Sequence, residues 1–135
     1  MKPQIVAPGG SYEKAKIALI YGADSVYVGC NQFSLRKSAD NLTISELKQL
    51  CAFAHSLNKH VYLALNIYPQ EQDMQELPFF LEKIKDIPLS AFIVSDLGLA
   101  KLTQSITSIP LHTSTQASVT NCYSAQMWKD IGAKR

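Results

Sequence analysis

The sequence predicts an α/β protein built from parallel βα units. Three observations predict it. Short apolar runs alternate with longer stretches whose apolar residues recur every three or four positions. The short runs are apolar almost throughout, as strands covered on both faces are. Glycines and capping residues fall at the joints between the two kinds of segment. A length of 135 residues gives one domain.

Gln4-Ile5-Val6-Ala7 is the first strand, stopped by Pro8-Gly9-Gly10. Ser11 suits a helix N-cap, and Tyr12 to Tyr21 carries Ala15, Ala18 and Leu19 on one face. Gly22 ends that helix where a left-handed residue is wanted. Ser25-Val26-Tyr27-Val28 is the second strand, followed by a polar loop from Asn31 to Asn41. Thr43-x-x-Glu46 is a capping box, and Ile44, Leu47, Cys51 and Ala54 line one face of the helix behind it, which ends near Asn58.

Val61-Tyr62-Leu63-Ala64-Leu65 is the third strand. Met74, Leu77, Leu81 and Ile84 repeat the helical spacing, with Pro78 predicting a late start or a kink. Ala91-Phe92-Ile93-Val94 is the fourth strand, and Leu97 to Ile106 is a short helix. Leu111-His112-Thr113 is a fifth, more polar strand, and Val119 to Ile131 is a fifth helix closed by Gly132.

Right-handed crossovers leave two architectures for this order, an open doubly wound sheet and a barrel of eight βα units. A barrel needs about 200 residues or more. The chain stops after five units, with Ala133-Lys134-Arg135 where a sixth strand would begin. The expectation is therefore a TIM-type barrel truncated after about five units, with residues 1–135 an incomplete domain. The unpaired edges of its first and fifth strands would want a missing C-terminal half or an oligomer partner. An open five-stranded sheet is the rival.

Composition sets further bounds. Apolar residues at 47% and charged residues at 18% exclude a disordered tail. No apolar run is long enough for a membrane span, and Pro8 interrupts the N-terminus too early for a signal peptide. A cytoplasmic location is expected. A net charge of +2 does not by itself demand a nucleic acid, and the pairs Arg36-Lys37 and Lys134-Arg135 read as solvated surface. Cys30, Cys51 and Cys122 are widely spaced, which argues against a disulfide framework or a zinc site.

Parallel βα folds bind ligands at the carboxyl ends of their strands. Here those ends are Pro8-Gly9-Gly10-Ser11, Gly29-Cys30, Asn66, Ser95-Asp96 and Ser114-Thr115-Gln116. This rim suits binding by hydrogen bonds more than acid–base work at neutral pH. Gly9 and Gly10 precede a helix start, which serves either as a tight turn or as an anion cradle. Asp96 reads equally as a helix cap or a rim carboxylate, and Asn66 as a ligand-orienting amide or an Asx turn.

The run from His112 to Asn121, with Ser114 and Gln116 inside it, is the densest polar stretch and lines either a polar network or a wet pocket. Cys30 is the one cysteine at a strand end, and a nucleophilic role would need a base and a lowered pKa. Cys51 and Cys122 read as core or near-core residues, and His55 and His60 as structural or surface residues away from the rim. Phe53, Phe79, Phe80, Phe92 and Trp128 read as packing residues.

Five segments together resemble the collagenase-like peptidases, peptidase family U32. They are Ile5 to Ser11, Tyr21 to Gly29, Val61 to Asn66, Phe92 to Gly98, and His112-x-Ser114-x-Gln116-x-x-x-Thr120-Asn121. Ala7-Pro8-Gly9-Gly10 departs from the family's usual Ala-Pro-Ala-Gly, and Cys30 stands where a second glycine is usual. The resemblance implies a TIM-type barrel in the N-terminal region. It also implies one of two activities: oxygen-independent hydroxylation, as of a tRNA wobble uridine with prephenate, or collagenase-like peptide hydrolysis. A third reading is a non-catalytic binding or structural fragment.

No cofactor is evident in this segment. An iron–sulfur cluster or prephenate is implied only for full-length members, with RNA or a small molecule as substrate. The ligand-positioning set expected here is Gly9, Gly10, Asn66, Asp96, His112, Ser114, Gln116 and Asn121. Hydroxylation is the preferred reading, because its oxidising power comes from a co-reactant and the protein supplies mainly placement.

Overall fold

The computed structural model describes residues 3–35 and 41–135; the pair Arg36-Lys37 lies outside them. The elements are β1 (Val6–Pro8), α1 (Tyr12–Ile20), β2 (Ser25–Gly29), α2 (Ile44–Ser56), β3 (His60–Leu65), α3 (Glu71–Ile84), β4 (Ala91–Val94), α4 (Leu97–Ile106), β5 (Leu111–Thr113) and α5 (Cys122–Asp130). All strand pairs are parallel, and the sheet runs in sequence order, β1-β2-β3-β4-β5. A doubly wound sheet reverses direction at a switch point. No reversal occurs here, so the sheet is not doubly wound; its five strands run in one direction, with β1 and β5 at its edges.

Same-handed crossovers in one direction put every helix on one face of the sheet. That face is the dry one. Val26, Val28, Leu63, Leu65, Phe92, Val94 and Leu111 are buried there with Ala15, Leu19, Leu47, Leu50, Leu77, Leu81 and Leu99. Burial of each such side chain stabilises by about 1.5–3 kcal/mol. Along the sheet, α1 packs on α2 and α3 on α4. The alternate strand residues Tyr27, Tyr62, Ala64, Ile93 and His112 occupy the other face, as their paired registers require.

Residues 133–135 run beside β5, in the position a sixth strand would take. Ala133 bridges Leu111, the Lys134 N–H donates to the Leu111 carbonyl at 2.8 Å, and the Thr113 N–H donates to the Arg135 carbonyl at 2.7 Å. The sheet is also curved. The Arg135 guanidinium reaches from that sixth position to the Tyr62 hydroxyl at 3.4 Å and to Gln4 Oε1 at 2.7 Å, beside β1. Arg135, read from sequence as plain surface, is exposed but partnered.

Local signals explain most boundaries. Ser11 accepts from the Lys14 N–H, and Thr43 and Glu46 close the expected capping box. Lys59 Nζ donates to the Leu19 and Ala23 carbonyls at 2.6 Å each, which satisfies orphan acceptors at the end of α1. Asp24 Oδ2 accepts from the Ile5 N–H at 2.7 Å and pins the entry to β1.

Four expectations shift. The first strand starts later, at Val6. Helix α3 begins at Glu71, ahead of Pro78, because the Gln70 N–H finds Asp73 Oδ2 at 2.7 Å. The fifth helix begins at Cys122, since Thr115–Ala117 forms a 3-10 turn and Ser118 is left-handed. Phe79 and Cys122, expected in or near the core, are exposed. Among the described residues no helix is long and apolar enough to cross a membrane.

Gly9 is set by close approach. A Cβ there would lie 2.4 Å from Val28 Cγ1 and 3.1 Å from the Tyr27 carbonyl oxygen. Gly9→Ala is expected to destabilise the fold by about 1–3 kcal/mol, as overpacking does. In urea unfolding, adding Val28→Ala should recover part of that loss, so the double variant is less destabilised than the sum of the singles.

Candidate functional site

The carboxyl ends of the five strands surround a cleft of about 400 Å³. That volume suits a small molecule or a single nucleotide. Its lining comprises Pro8 and Gly10 from the β1 end, Tyr27, Val28 and Gly29 from β2, and Ser34 and Asn41 from the loop after β2. Ala64 and Asn66 come from the β3 end, Ile93 from β4, and Thr113, Ser114, Thr115 and Gln116 from the β5 end.

A polar network organises the wall between β3 and β5. Gln116 Oε1 accepts from Asn66 Nδ2 at 3.2 Å, from Thr115 Oγ1 at 3.3 Å and from the Ser114 hydroxyl. Ser114 Oγ also accepts from the Gln116 N–H at 3.4 Å, and the buried Ser114 donates its own N–H to the Val94 carbonyl at 2.7 Å. Asn66 Oδ1 accepts from the Leu35 N–H at 3.4 Å. A backbone N–H can only donate, so this contact settles which atom of the Asn66 amide is oxygen. The Asn66 nitrogen must then face an acceptor, which settles Gln116 as well.

Of the residues expected from sequence, Gly10, Asn66, Ser114 and Gln116 meet in this cleft. Gly10 has φ +60°, a conformation that glycine adopts without strain. The others lie elsewhere. Gly9 is buried, and its N–H donates to the Tyr27 carbonyl at 2.8 Å, so it has no proton to offer an anion. Asp96 caps α4, accepting from the Leu99 N–H at 2.8 Å. Asn121 caps α5, accepting from the Ser124 N–H at 3.0 Å.

His112 sits on the open face of β5 with its ring edge on Tyr62, 4.8 Å between centroids. Burial first, and the nearby Arg135 charge second, lower its pKa and favour the neutral ring.

Cys30 does not have a nucleophile's surroundings. It is buried, and its thiol donates to the Leu42 carbonyl at 2.9 Å. Burial pushes its pKa up; the Asn31 backbone bond opposes this and the Glu46 charge adds to it. Cys51 is buried and pushed up to about 12 by burial alone. Among the described residues no group of three or more His, Cys, Asp or Glu side chains could hold a metal ion. His55 and His60 line a separate hollow at the opposite end of the strands.

Sequence reasoning missed Ser34 and Asn41. They fold back over Gly29, where a Cβ would lie 2.6 Å from Ser34 Oγ and 2.7 Å from Asn41 Oδ1. The glycine closing β2 was the available signal.

The family model described as Peptidase family U32 matches residues 10–135. The tRNA hydroxylation protein P of Helicobacter pylori (strain ATCC 700392 / 26695) is 40% identical over 98% of this chain and 32% of its own length. The tRNA hydroxylation protein P1 of Bacillus subtilis (strain 168) is 35% identical over 99% of this chain and 32% of its own. The chain thus spans about a third of the length of these relatives. The solved structure of the U32 peptidase Mk0906 has the same fold, with TM-score 0.77 over 98% of this chain and 56% of that one, at 13% identity.

Two predictions follow from the geometry. In the folded protein a thiol reagent should modify exposed Cys122 rapidly and leave Cys30 and Cys51 protected until denaturant is added; rapid labelling at Cys30 would contradict its burial. The second concerns acid. The folded His112 pKa lies below its ordinary 6.5, so as pH falls the unfolded chain takes up the proton first. Stability is therefore lost below that value until the folded ring also titrates. The drop in urea midpoint between about pH 7.5 and about pH 5 should shrink in His112→Phe, which keeps a ring edge for Tyr62.

Proposed function

The chain belongs to peptidase family U32, and from that membership we propose that it is the front portion of a TIM-type barrel whose rim positions an RNA nucleotide for oxygen-independent hydroxylation, with the wobble uridine of tRNA as the target. In this reading residues 1–135 are an incomplete domain. The strand edges are completed by a C-terminal half or an oligomer partner, and the protein works in the cytoplasm.

The observation that carries the proposal is the cleft at the strand ends. Its wall is a joined set of carboxamides and hydroxyls, Asn66, Ser114, Thr115 and Gln116. Such groups keep one protonation state across the physiological range, so they orient a polar ligand without supplying acid or base. A hydroxylation whose oxidising equivalents come from a co-reactant needs that kind of wall. Both tRNA hydroxylation proteins align over nearly all of this chain, which agrees with the reading.

Among the described residues, the co-reactants implied by family resemblance find no charged or thiolate seat. Prephenate carries two carboxylates, and no Lys or Arg is among the described residues lining the cleft. An iron–sulfur cluster needs converging thiolates. Cys30 and Cys51 are buried and kept protonated, and Cys122 is exposed on α5. No step is therefore routed through either group. Peptide hydrolysis draws no support from this segment, because no histidine lines the cleft beside its serine and threonine hydroxyls.

Mass spectrometry of tRNA from a strain lacking the gene should show loss of the hydroxylated wobble uridine, restored by the wild-type gene. Unchanged hydroxylation would overturn the proposal.

A further inference from the structure

We propose that the β1–β2 side of the cleft is an anion subsite: the N–H groups of Gly10 and the first turn of α1, together with the Ser34 hydroxyl, hold one phosphate or carboxylate group of the ligand. The proposal rests on the cleft being a ligand site and not on the ligand being RNA.

Two independent observations meet there. The first is the start of α1. Pro8 pairs with Tyr27, so two residues on, Gly10 and Gly29 stand at adjacent strand ends. Gly10 lines the cleft with φ +60°, and the N–H groups of Gly10 and Ser11 have no partner among the described residues. The Tyr12 and Glu13 N–H groups open the helix, where no carbonyl lies a turn back to accept them. The Ser11 side chain takes only the Lys14 N–H, at 3.3 Å. Along the nine residues of α1 the peptide dipoles align and leave this end positive.

The second observation is Ser34. It is 6% exposed and lines the same cleft, and its hydroxyl has no hydrogen-bond partner among the described residues. Nearly all buried polar side chains are paired, so an unpaired one at a cleft wall needs a reason. The Ser34 oxygen lies over Gly29, 2.6 Å from where a Cβ would stand, on the strand end next to Gly10. Its proton is left for an acceptor that the protein does not supply.

The acceptor that fits is an oxyanion. Backbone N–H groups only donate, and a helix start favours negative charge. No Asp or Glu is among the described residues lining the cleft, and Glu13 of the first turn is exposed. The far wall, from Asn66 to Gln116, is bonded within itself. A phosphate of a nucleotide and the carboxylate of a small acid share the chemistry that this side of the cleft recognises.

The test is an NMR titration of the isotope-labelled full-length protein with inorganic phosphate and, separately, with acetate. At least one anion should shift the amide protons of Gly10, Ser11 and Tyr12 saturably. Tighter phosphate assigns the subsite to a nucleotide phosphate, and tighter acetate to a carboxylic acid. Ser34→Ala should weaken the anion about tenfold, the loss of one hydrogen bond to a charged group. Tyr12→Pro removes one N–H at the helix position where proline is tolerated, and Tyr12→Ala loses the same ring but keeps the N–H. The proline variant should bind about tenfold more weakly than the alanine variant. A merely structural role of Tyr12 would move the two together.

Wild-type amides that respond to neither anion overturn the proposal. So do a folded Ser34→Ala protein with wild-type affinity and equal affinities in the two Tyr12 variants. Thermal melts establish folding; where one variant does not melt cooperatively the others decide, and if none does, the wild-type amide shifts decide alone. The tRNA measurement stands apart. Unchanged hydroxylation with a working subsite removes the RNA target and keeps the subsite, whereas lost hydroxylation with no anion response removes the subsite alone.

Discussion

Parallel pairing of consecutive strands is the constraint on which the rest of the molecule depends. Once β1 to β5 lie side by side in chain order, every crossover must pass over the same face. One face of the sheet is then dry and the other open, and all five carboxyl ends fall on one rim. Burial follows that division in part, since Tyr62 and Ala64 on the second face are also covered. Phe92, Leu63 and Leu65 lie fully buried on the helical side, while Tyr27, Ile93 and His112 on the other side are only partly covered. Curvature follows from the same pairing and brings Arg135 at the sixth position within reach of Gln4 beside the first strand.

Much of this was legible because it is local. A capping box declares itself in four residues, and Thr43 with Glu46 closed as expected. Helix α4 lies between the residues that its spacing marked, Leu97 and Ile106. Misreadings occurred where a local rule met a competing contact. Proline argues against a helix interior, but the seven residues of α3 before Pro78 include Asp73, whose carboxylate caps the start, and Leu77, which is fully buried. Cys122 lies in a helix as read, but at its first position, where the chain has not yet turned inward.

The rim was legible in outline and ambiguous in detail. A polar residue between a strand and a helix can face a ligand or cap the helix, and both roles favour the same amino acids. At Asp96 and Asn121 the orphan N–H groups of the next helix claim the side chain. At Asn66 the helix starts five residues later, with no nearby N–H to claim the amide, and it turns to Gln116, fifty positions on. No sequence period encodes that pairing. The same holds for Ser34 and Asn41, which reach the site only because Gly29 lacks a side chain.

The chemistry of the rim follows from which groups burial leaves ionisable. The Cys30 thiol is kept protonated by the core it enters, and His112 is kept neutral by burial and by Arg135. Neither contributes charge to the cleft wall. What remains is a chain of neutral hydrogen bonds anchored at the Leu35 backbone and ending on the Gln116 oxygen. Each member is oriented by the one before it, and hydrogen bonds joined in a chain polarise one another. Such a wall cannot adapt by gaining or losing a proton. It discriminates instead by presenting donors and acceptors in fixed places, and a ligand with the wrong pattern must leave a polar group unpaired there.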